Sequence, residues 1–200
     1  MKKLLLLTLG VALLGAPGWA AICAPGTLAS YIALGSAGCV LGDLTVTGFS
    51  YQAKASGGAA KITADQIDVT PLLAPTSTVG LQFAAPWDVQ MGQAQQSGIS
   101  YKVLSAGTTV QIQQARLDGS GFKAGALGSV TVIEALATLA TTSSLDIYLK
   151  CTDTCSSQTS ELLTFTPPAV MLFISDQVQL QSKQGSASMA NFADWFVVAG

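Results

Sequence analysis

Beyond residue 39 the chain alternates between apolar and polar positions. Leu44 and Val46 interleave with Thr45 and Thr47, and Phe49 and Tyr51 continue on the opposite parity. Successive side chains of a strand point to opposite faces, so a period of two marks a half-buried strand. Gly48 stands where the parity changes, which predicts a β-bulge. Similar runs follow at Ile67 and Val69, Leu81 and Phe83, Ile99 to Val103, Val110 and Ile112, and Val130 and Val132. Leu145 to Leu149, Leu163 and Phe165, and Val178 and Leu180 complete the set. Turn-rich stretches separate them, among them Ser56-Gly57-Gly58, Asp118-Gly119-Ser120-Gly121 and Pro167-Pro168. The run from Ile133 to Ala140 fits strand or helix. The pattern predicts an all-β chain, a single antiparallel β-sandwich, jelly-roll-like, of about nine or ten strands.

One short helix precedes the strands. Pro25-Gly26-Thr27 supplies a turn and an N-cap, Leu28, Tyr31 and Ile32 fall on one face, and Gly35 ends it. Ahead of it the pattern is different in kind. Lys2 and Lys3 lead an apolar run from Leu4 to Leu14, then come Gly15, Pro17 and Gly18, with Gly18 and Ala20 small at the −3 and −1 positions of a cut. These features predict a secretory signal peptide over residues 1–20 and a single mature domain over 21–200. Leu4 to Ile22 is almost long enough to span a bilayer, but Pro17 and the cut site favour cleavage over anchoring. Ile22 ahead of Cys23 is too large for lipoprotein processing. A transmembrane barrel would need aromatic girdles, and only 7% of the chain is aromatic. Stable membrane insertion is therefore not expected.

Charge narrows the partners. Only 10% of the residues are charged, and loss of the two leader lysines leaves seven basic against eleven acidic residues, a net charge of about −4. With one arginine, Arg116, the chain has no electrostatic footprint for nucleic acid or anionic lipid. Four cysteines form an even set in an oxidising compartment. Cys23 with Cys39 and Cys151 with Cys155 is the natural pairing of three, giving two structural staples. Neither zinc nor redox chemistry is expected of them without histidine or paired Cys-x-x-Cys hooks.

The absence of histidine excludes a Ser-His-Asp or Cys-His engine and removes the usual general base near neutral pH. What remains is carboxylate chemistry, with two glutamates, Glu134 and Glu161, and nine scattered aspartates. No pattern brings a pair of them across a cleft, as a glycosidase requires. Asp65 and Asp68, and the Asp118 to Gly121 stretch, lack the alternating oxygens and closing glutamate of a calcium loop and read as turns. No cofactor and no metal are expected, and no catalytic residue is assigned. Among the aromatic residues, Trp87 after Pro86 in an expected loop, and Tyr148, opposite in parity to Ile147 and Leu149, are the candidate sugar platforms, although Trp87 is expected rather to plug one end of the sandwich. Phe192, Trp195 and Phe196 are expected to anchor the last strand to the core. Rows of glutamine, Gln111 and Gln113, then Gln177, Gln179 and Gln181, stand where lysine and glutamate usually guard sheet edges; an ordinary extracellular surface is the expected reading, with self-association or contact with a polymer as the alternative.

The segment from Leu28 to Asp43, with Tyr31, Gly38, Cys39 and Gly42, followed by Phe49-Ser-Tyr51, resembles the start of a family of secreted bacterial proteins that often carry a PEP-CTERM sorting tail. Looser matches follow at Gly80 to Phe83, Ile99 to Val103 and Ser186 to Phe192. The resemblance implies export and association with the cell surface or extracellular polymer; it implies no reaction. The chain stops at Gly200 with no Pro-Glu-Pro, apolar span or terminal arginines, which predicts release rather than anchoring. Three classes follow. The first is a non-enzymatic structural or interaction protein of the surface or extracellular matrix, the expected reading. A module binding extracellular polysaccharide through Trp87 or Tyr148 is the alternative. A carboxylate hydrolase would need Glu134 or Glu161 in a cleft beside an aspartate.

Overall fold

Alternation sorts the chain into two sheets that share one interior. The computed structural model describes residues 20–200 apart from Thr76, Ala106 and Thr108, so the export segment expected over residues 1–20 falls, but for Ala20, outside the described residues. The strands are β1 (Ala21–Ile22), β2 (Gly26–Thr27), β3 (Cys39–Leu41), β4 (Leu44–Ser56), β5 (Asp68–Ala74), β6 (Thr78–Gln90), β7 (Ala94–Ser105) and β8 (Gln111–Ser120). They continue as β9 (Lys123–Ala124), β10 (Gly128–Ala137), β11 (Thr142–Cys151), β12 (Cys155–Gln158), β13 (Ser160–Ala169), β14 (Met171–Ser182) and β15 (Ser186–Ala199). The first sheet runs β1-β3-β4-β7-β14-β10-β11-β12, and the second runs β13-β8-β15-β6-β5-β2 with β9 beside β15. All pairings are antiparallel except β1 with β3. Among the described residues no helix is long and apolar enough to cross a membrane.

Fifteen strands, not nine or ten, are present among the described residues. The additional ones, β1, β2, β3, β9 and β12, have two to four residues each, too few to display a period. The helix α1 (Leu28–Ala33) is capped by the Thr27 side chain, which accepts from the Ser30 N–H at 3.3 Å, and it buries Leu28 and Tyr31. At Gly48, with φ +67°, the β4–β7 register shifts between Thr47 and Ser50, so the bulge sits where the parity changes. The ambiguous run after Ile133 is strand as far as Ala137, with strict in-out burial along β10.

Several expected turns are strand instead. Asp118 to Ser120 closes β8, Pro167 and Pro168 lie within an irregular stretch of edge strand β13, and Pro86-Trp87 lies within β6. Proline is tolerated at an edge or beside a bulge, where a ladder N–H is not required. The β6–β15 register shifts beside Met189, near this proline.

The core between the sheets is aromatic along its length. Tyr31 meets Phe49 edge-on at 5.2 Å, Phe49 stacks on Tyr101 at 4.9 Å, and Tyr101 touches Phe83 at 6.0 Å. Phe83 stacks on Phe192 at 5.1 Å, and Phe192 reaches Trp87 at 5.8 Å. This chain of rings links α1 with both sheets. Phe192 and Phe196 are buried as expected, whereas Trp195 alternates outward, with the Arg116 guanidinium 5.3 Å from its ring. Disulfides join Cys23 to Cys39 beside β3 and Cys151 to Cys155 at the tip of the β11–β12 hairpin.

Candidate functional site

Two regions gather polar side chains, one on the surface and one in the interior. On the outward face of the first sheet, strand pairing lines up residues from six neighbouring strands. Lys54 pairs with Gln96, Gln96 with Gln179, Gln179 with Thr131, Thr131 with Tyr148, and Tyr148 with Gln158. At about 4.8 Å between strands this row is about 24 Å long. Beside it runs a second row, Gln52, Gly98, Gln177, Ile133 and Asp146. Gly98 contributes no side chain, so the face dips there. A groove of about 610 Å³ lies between Lys54, Lys61, Gln96, Thr131, Gln179 and Gln181. It borders a smaller one of about 170 Å³ that shares Lys54 and Gln96 and is lined by Gly98, Ser100 and Ser175.

The face is held open by amides bonded to one another. Gln96 Nε2 and Gln179 Nε2 both donate to Gln177 Oε1 at 3.3 Å. Gln177 and Gln179 are exposed, and Gln96, Thr131, Tyr148 and Gln158 are half-buried. The Lys150 amine sits 4.8 Å from the centroid of the Tyr148 ring. Donors, acceptors, one ring and three lysines therefore share a shallow surface. The glutamine rows are not edge guards: β14 lies between β7 and β10, and β8 lies between β13 and β15. Residues on central strands present a face, because their backbone groups are already paired.

The second region was not expected from the sequence. Glu134 on β10 pairs directly with Asp176 on β14, and both point inward. Asp194 on β15 comes from the opposite sheet, and all three side chains are completely shielded from solvent. One oxygen from each lies within 4.8 Å of the other two. Tyr101 Oη donates to Asp194 Oδ2 at 2.6 Å. No group outside the trio hydrogen-bonds to either oxygen of Glu134, either oxygen of Asp176, or Asp194 Oδ1, and Asp176 and Asp194 bond to each other.

Burial raises the Glu134 and Asp176 carboxyls well above the usual carboxylate range, and the neighbouring Asp194 charge adds to it. Burial lifts Asp194 to about 7, with the Tyr101 hydrogen bond pulling the other way. The Tyr101 hydroxyl is itself pushed well up, first by burial and then by the Asp194 charge. These groups offer oxygen donors alone, a set that suits a hard cation. They do not form a hydrolase cleft, because no substrate reaches a fully shielded carboxylate. Glu161, the other glutamate, is on the second sheet and accepts from the Asp146 N–H.

The remaining candidates are dispersed. Trp87 is buried, its Nε1 donating to Ser97 Oγ at 3.2 Å, so it offers no ring to a ligand. It was expected in a loop, and the continuation of β6 through Pro86 turns it inward instead. Tyr148 joins the outward row. Asp65 and Asp68 are exposed and separate from the carboxylate trio, and Asp118 accepts from Ser160 Oγ at 2.6 Å and pairs with Arg116 at 2.9 Å.

No family model matches the chain, and no curated protein matches it. Among solved structures, it is similar to the enzymatically active domain of bacteriophage CBA120 tailspike protein 4, at 12% identity and a TM-score of 0.28 over 80% of this chain. That match spans only 20% of the tailspike chain. It is similar also to the carbohydrate-binding module TmCBM61 in complex with β-1,4-galactotriose, at 9% identity and a TM-score of 0.29, over 74% of this chain and 85% of that one. A family 29 carbohydrate-binding module, CBM29-2, follows at 9% identity and a TM-score of 0.19, over 70% and 91%. Likenesses this weak carry no argument about ligand.

Proposed function

We propose that the protein is a secreted, non-enzymatic binding module that takes an extracellular polysaccharide along the outward face of its first sheet. The observation that carries this reading is the transverse row Lys54, Gln96, Gln179, Thr131, Tyr148 and Gln158. Polysaccharide hydroxyls both donate and accept, and primary amides answer both needs from one side chain. Tyr148 adds an aromatic flank with a polar tip. The low charge fits a neutral or weakly acidic polymer better than a polyanion. The jelly-roll-like winding expected from the sequence is part of this reading, supported by the alternation of β13, β14 and β15 between the two sheets.

Export is supported by the leader-like residues 1–20, by the two disulfides, and by the resemblance to proteins that often carry a PEP-CTERM tail. Affinity electrophoresis through gels containing defined polysaccharides tests the ligand. Retardation by at least one neutral polymer is expected, with Tyr148→Ala or the pair Gln96→Ala and Gln179→Ala weakening it roughly tenfold, about 1.4 kcal/mol. Retardation unchanged in both variants would move the ligand elsewhere. No retardation by any polymer, with concentration-dependent self-association in sedimentation, would favour the matrix-protein reading, in which the same amide face meets another protein.

A further inference from the structure

We propose that the interior of the molecule holds one calcium-class cation between Glu134, Asp176 and Asp194, bound as the two sheets close. Two oxygens that share a cation at about 2.3–2.6 Å stand no more than about 5 Å apart. One oxygen from each of the three carboxylates meets that limit, lying within 4.8 Å of the others. The second observation is independent of the clustering. The five oxygens Glu134 Oε1 and Oε2, Asp176 Oδ1 and Oδ2, and Asp194 Oδ1 are shielded from solvent and receive no hydrogen bond from outside the trio; within it, Asp176 and Asp194 bond to each other. Unpaired buried polar atoms are rare in folded proteins, and three carboxylates brought this close with so few donors suit a shared cation.

Tyr101 fits the arrangement as a positioning residue. By donating to Asp194 Oδ2 it fixes that carboxylate and leaves Oδ1 with no hydrogen-bond partner outside the trio. The identity of the ion follows from the donors. With no histidine in the chain and all four cysteines in disulfides, nitrogen and sulfur side-chain ligands are absent from the site, which disfavours zinc and copper. Magnesium dehydrates reluctantly and keeps waters, for which a solvent-shielded cage has no supply. Three carboxylates supply three oxygens, and up to five where Glu134 and Asp176 bind through both, toward the six to eight that calcium takes. This cation is separate from the outward polysaccharide face, on the other side of the same strands.

A site with no route to solvent fills when the chain folds, so the test is made on refolding. The purified protein, disulfides intact, is unfolded in guanidinium with chelator, then refolded in either calcium or chelator, desalted and analysed by elemental mass spectrometry. About one calcium per chain is expected after refolding in calcium and none after refolding in chelator, with a higher Tm for the calcium-loaded form. Glu134→Gln is expected to retain less than a tenth of the calcium. Wild-type protein that refolds in calcium yet carries none, with the same Tm in both conditions, would overturn the proposal. So would loading by magnesium in place of calcium from an equimolar mixture. The wild-type measurements decide it whether or not the variant folds.

Discussion

At the scale of single residues, the three buried acids set the chemistry that distinguishes this core. Without a cation, neighbouring carboxylates in a dry interior cannot all ionise, and each is held protonated above its ordinary range. A carboxyl raised in the folded state gives stability that is complete below its unfolded pKa and is lost as pH rises through the folded value. For Asp194 that window runs from the ordinary 3.8 to about 7. After refolding in chelator, the Tm is therefore expected to fall between pH 4 and pH 8, with a loss on the order of 4 kcal/mol, at about 1.4 kcal/mol per pKa unit. Thermal melts across that range check it, and a Tm that holds level or rises with pH would contradict it. The groups facing the cluster are the three acids and Tyr101, so no buried base offsets this slope. Glu134→Gln removes one like charge, and in chelator at pH 8 it is expected to raise the Tm. Trp87 makes the opposite case. As a buried ring bonded to Ser97, its change to alanine is expected to cost about 3–5 kcal/mol in a urea titration and to leave iodide quenching of Trp195 in the 21–200 domain unaltered. Part of this was legible beforehand. Glu134 continues the inward parity of Val130 and Val132, Asp176 stands between Ile174 and Val178, and Asp194 stands between Phe192 and Phe196. Each acid breaks an apolar face. That the three meet depends on strand pairing, which a single sequence does not state.

Among the elements, the two disulfides do unequal work. Cys23–Cys39 closes a loop of 16 residues and Cys151–Cys155 a loop of 4. By chain entropy the first restricts the unfolded state by about 3 kcal/mol and the second by about 2 kcal/mol. Paired replacement by alanine is expected to lower stability in that order, read from urea midpoints, and equal losses would show that loop entropy is not what governs them. The first bridge also meets a backbone constraint. Gly38 has φ +61°, and a Cβ there would lie 2.1 Å from the Val46 carbonyl oxygen, so Gly38→Ala displaces the turn that carries Cys39 into β3. The longer strands were legible where apolar and polar residues alternate, as over Gln177 to Gln181 in β14, whereas β10 was legible only over Val130 to Val132. Short strands such as β1 and β9 exist only through their neighbours. Pro86 misled for a physical reason: proline lacks a ladder donor, which argues for a loop, but the register irregularity near Met189 accommodates it within β6. The glutamine rows were legible as rows, whereas their placement on central strands followed from a pairing order that no local pattern carries.

For the molecule as a whole, the last two strands decide whether either sheet exists. β14 lies between β7 and β10 in the first sheet, and β15 lies between β6 and β8 in the second. Before β14 arrives, β4 and β7 on one side and β10, β11 and β12 on the other have no shared ladder. The same holds for β5 and β6 against β8 and β13 until β15 is seated. Residues 171–199 thus join four half-sheets, and they bring two of the three buried acids, Asp176 and Asp194. They also supply the centre of the outward row through Gln179. Contacts so distant in sequence are formed against loop-closure entropy, so most of the stability appears together and late in folding. A chain truncated after Val170 keeps ten or more strand segments and every cysteine, and on a count of local elements it should fold. On the pairing order it should not. The expected result for residues 21–170 is loss of near-ultraviolet circular dichroism and of any cooperative thermal transition. Removing only residues 21–27, which hold edge strands β1 and β2 together with Cys23, is expected to leave a cooperative melt at lower temperature. A cooperative transition in the 21–170 chain would show that the half-sheets are stable units, and that β14 and β15 decorate the fold instead of joining it.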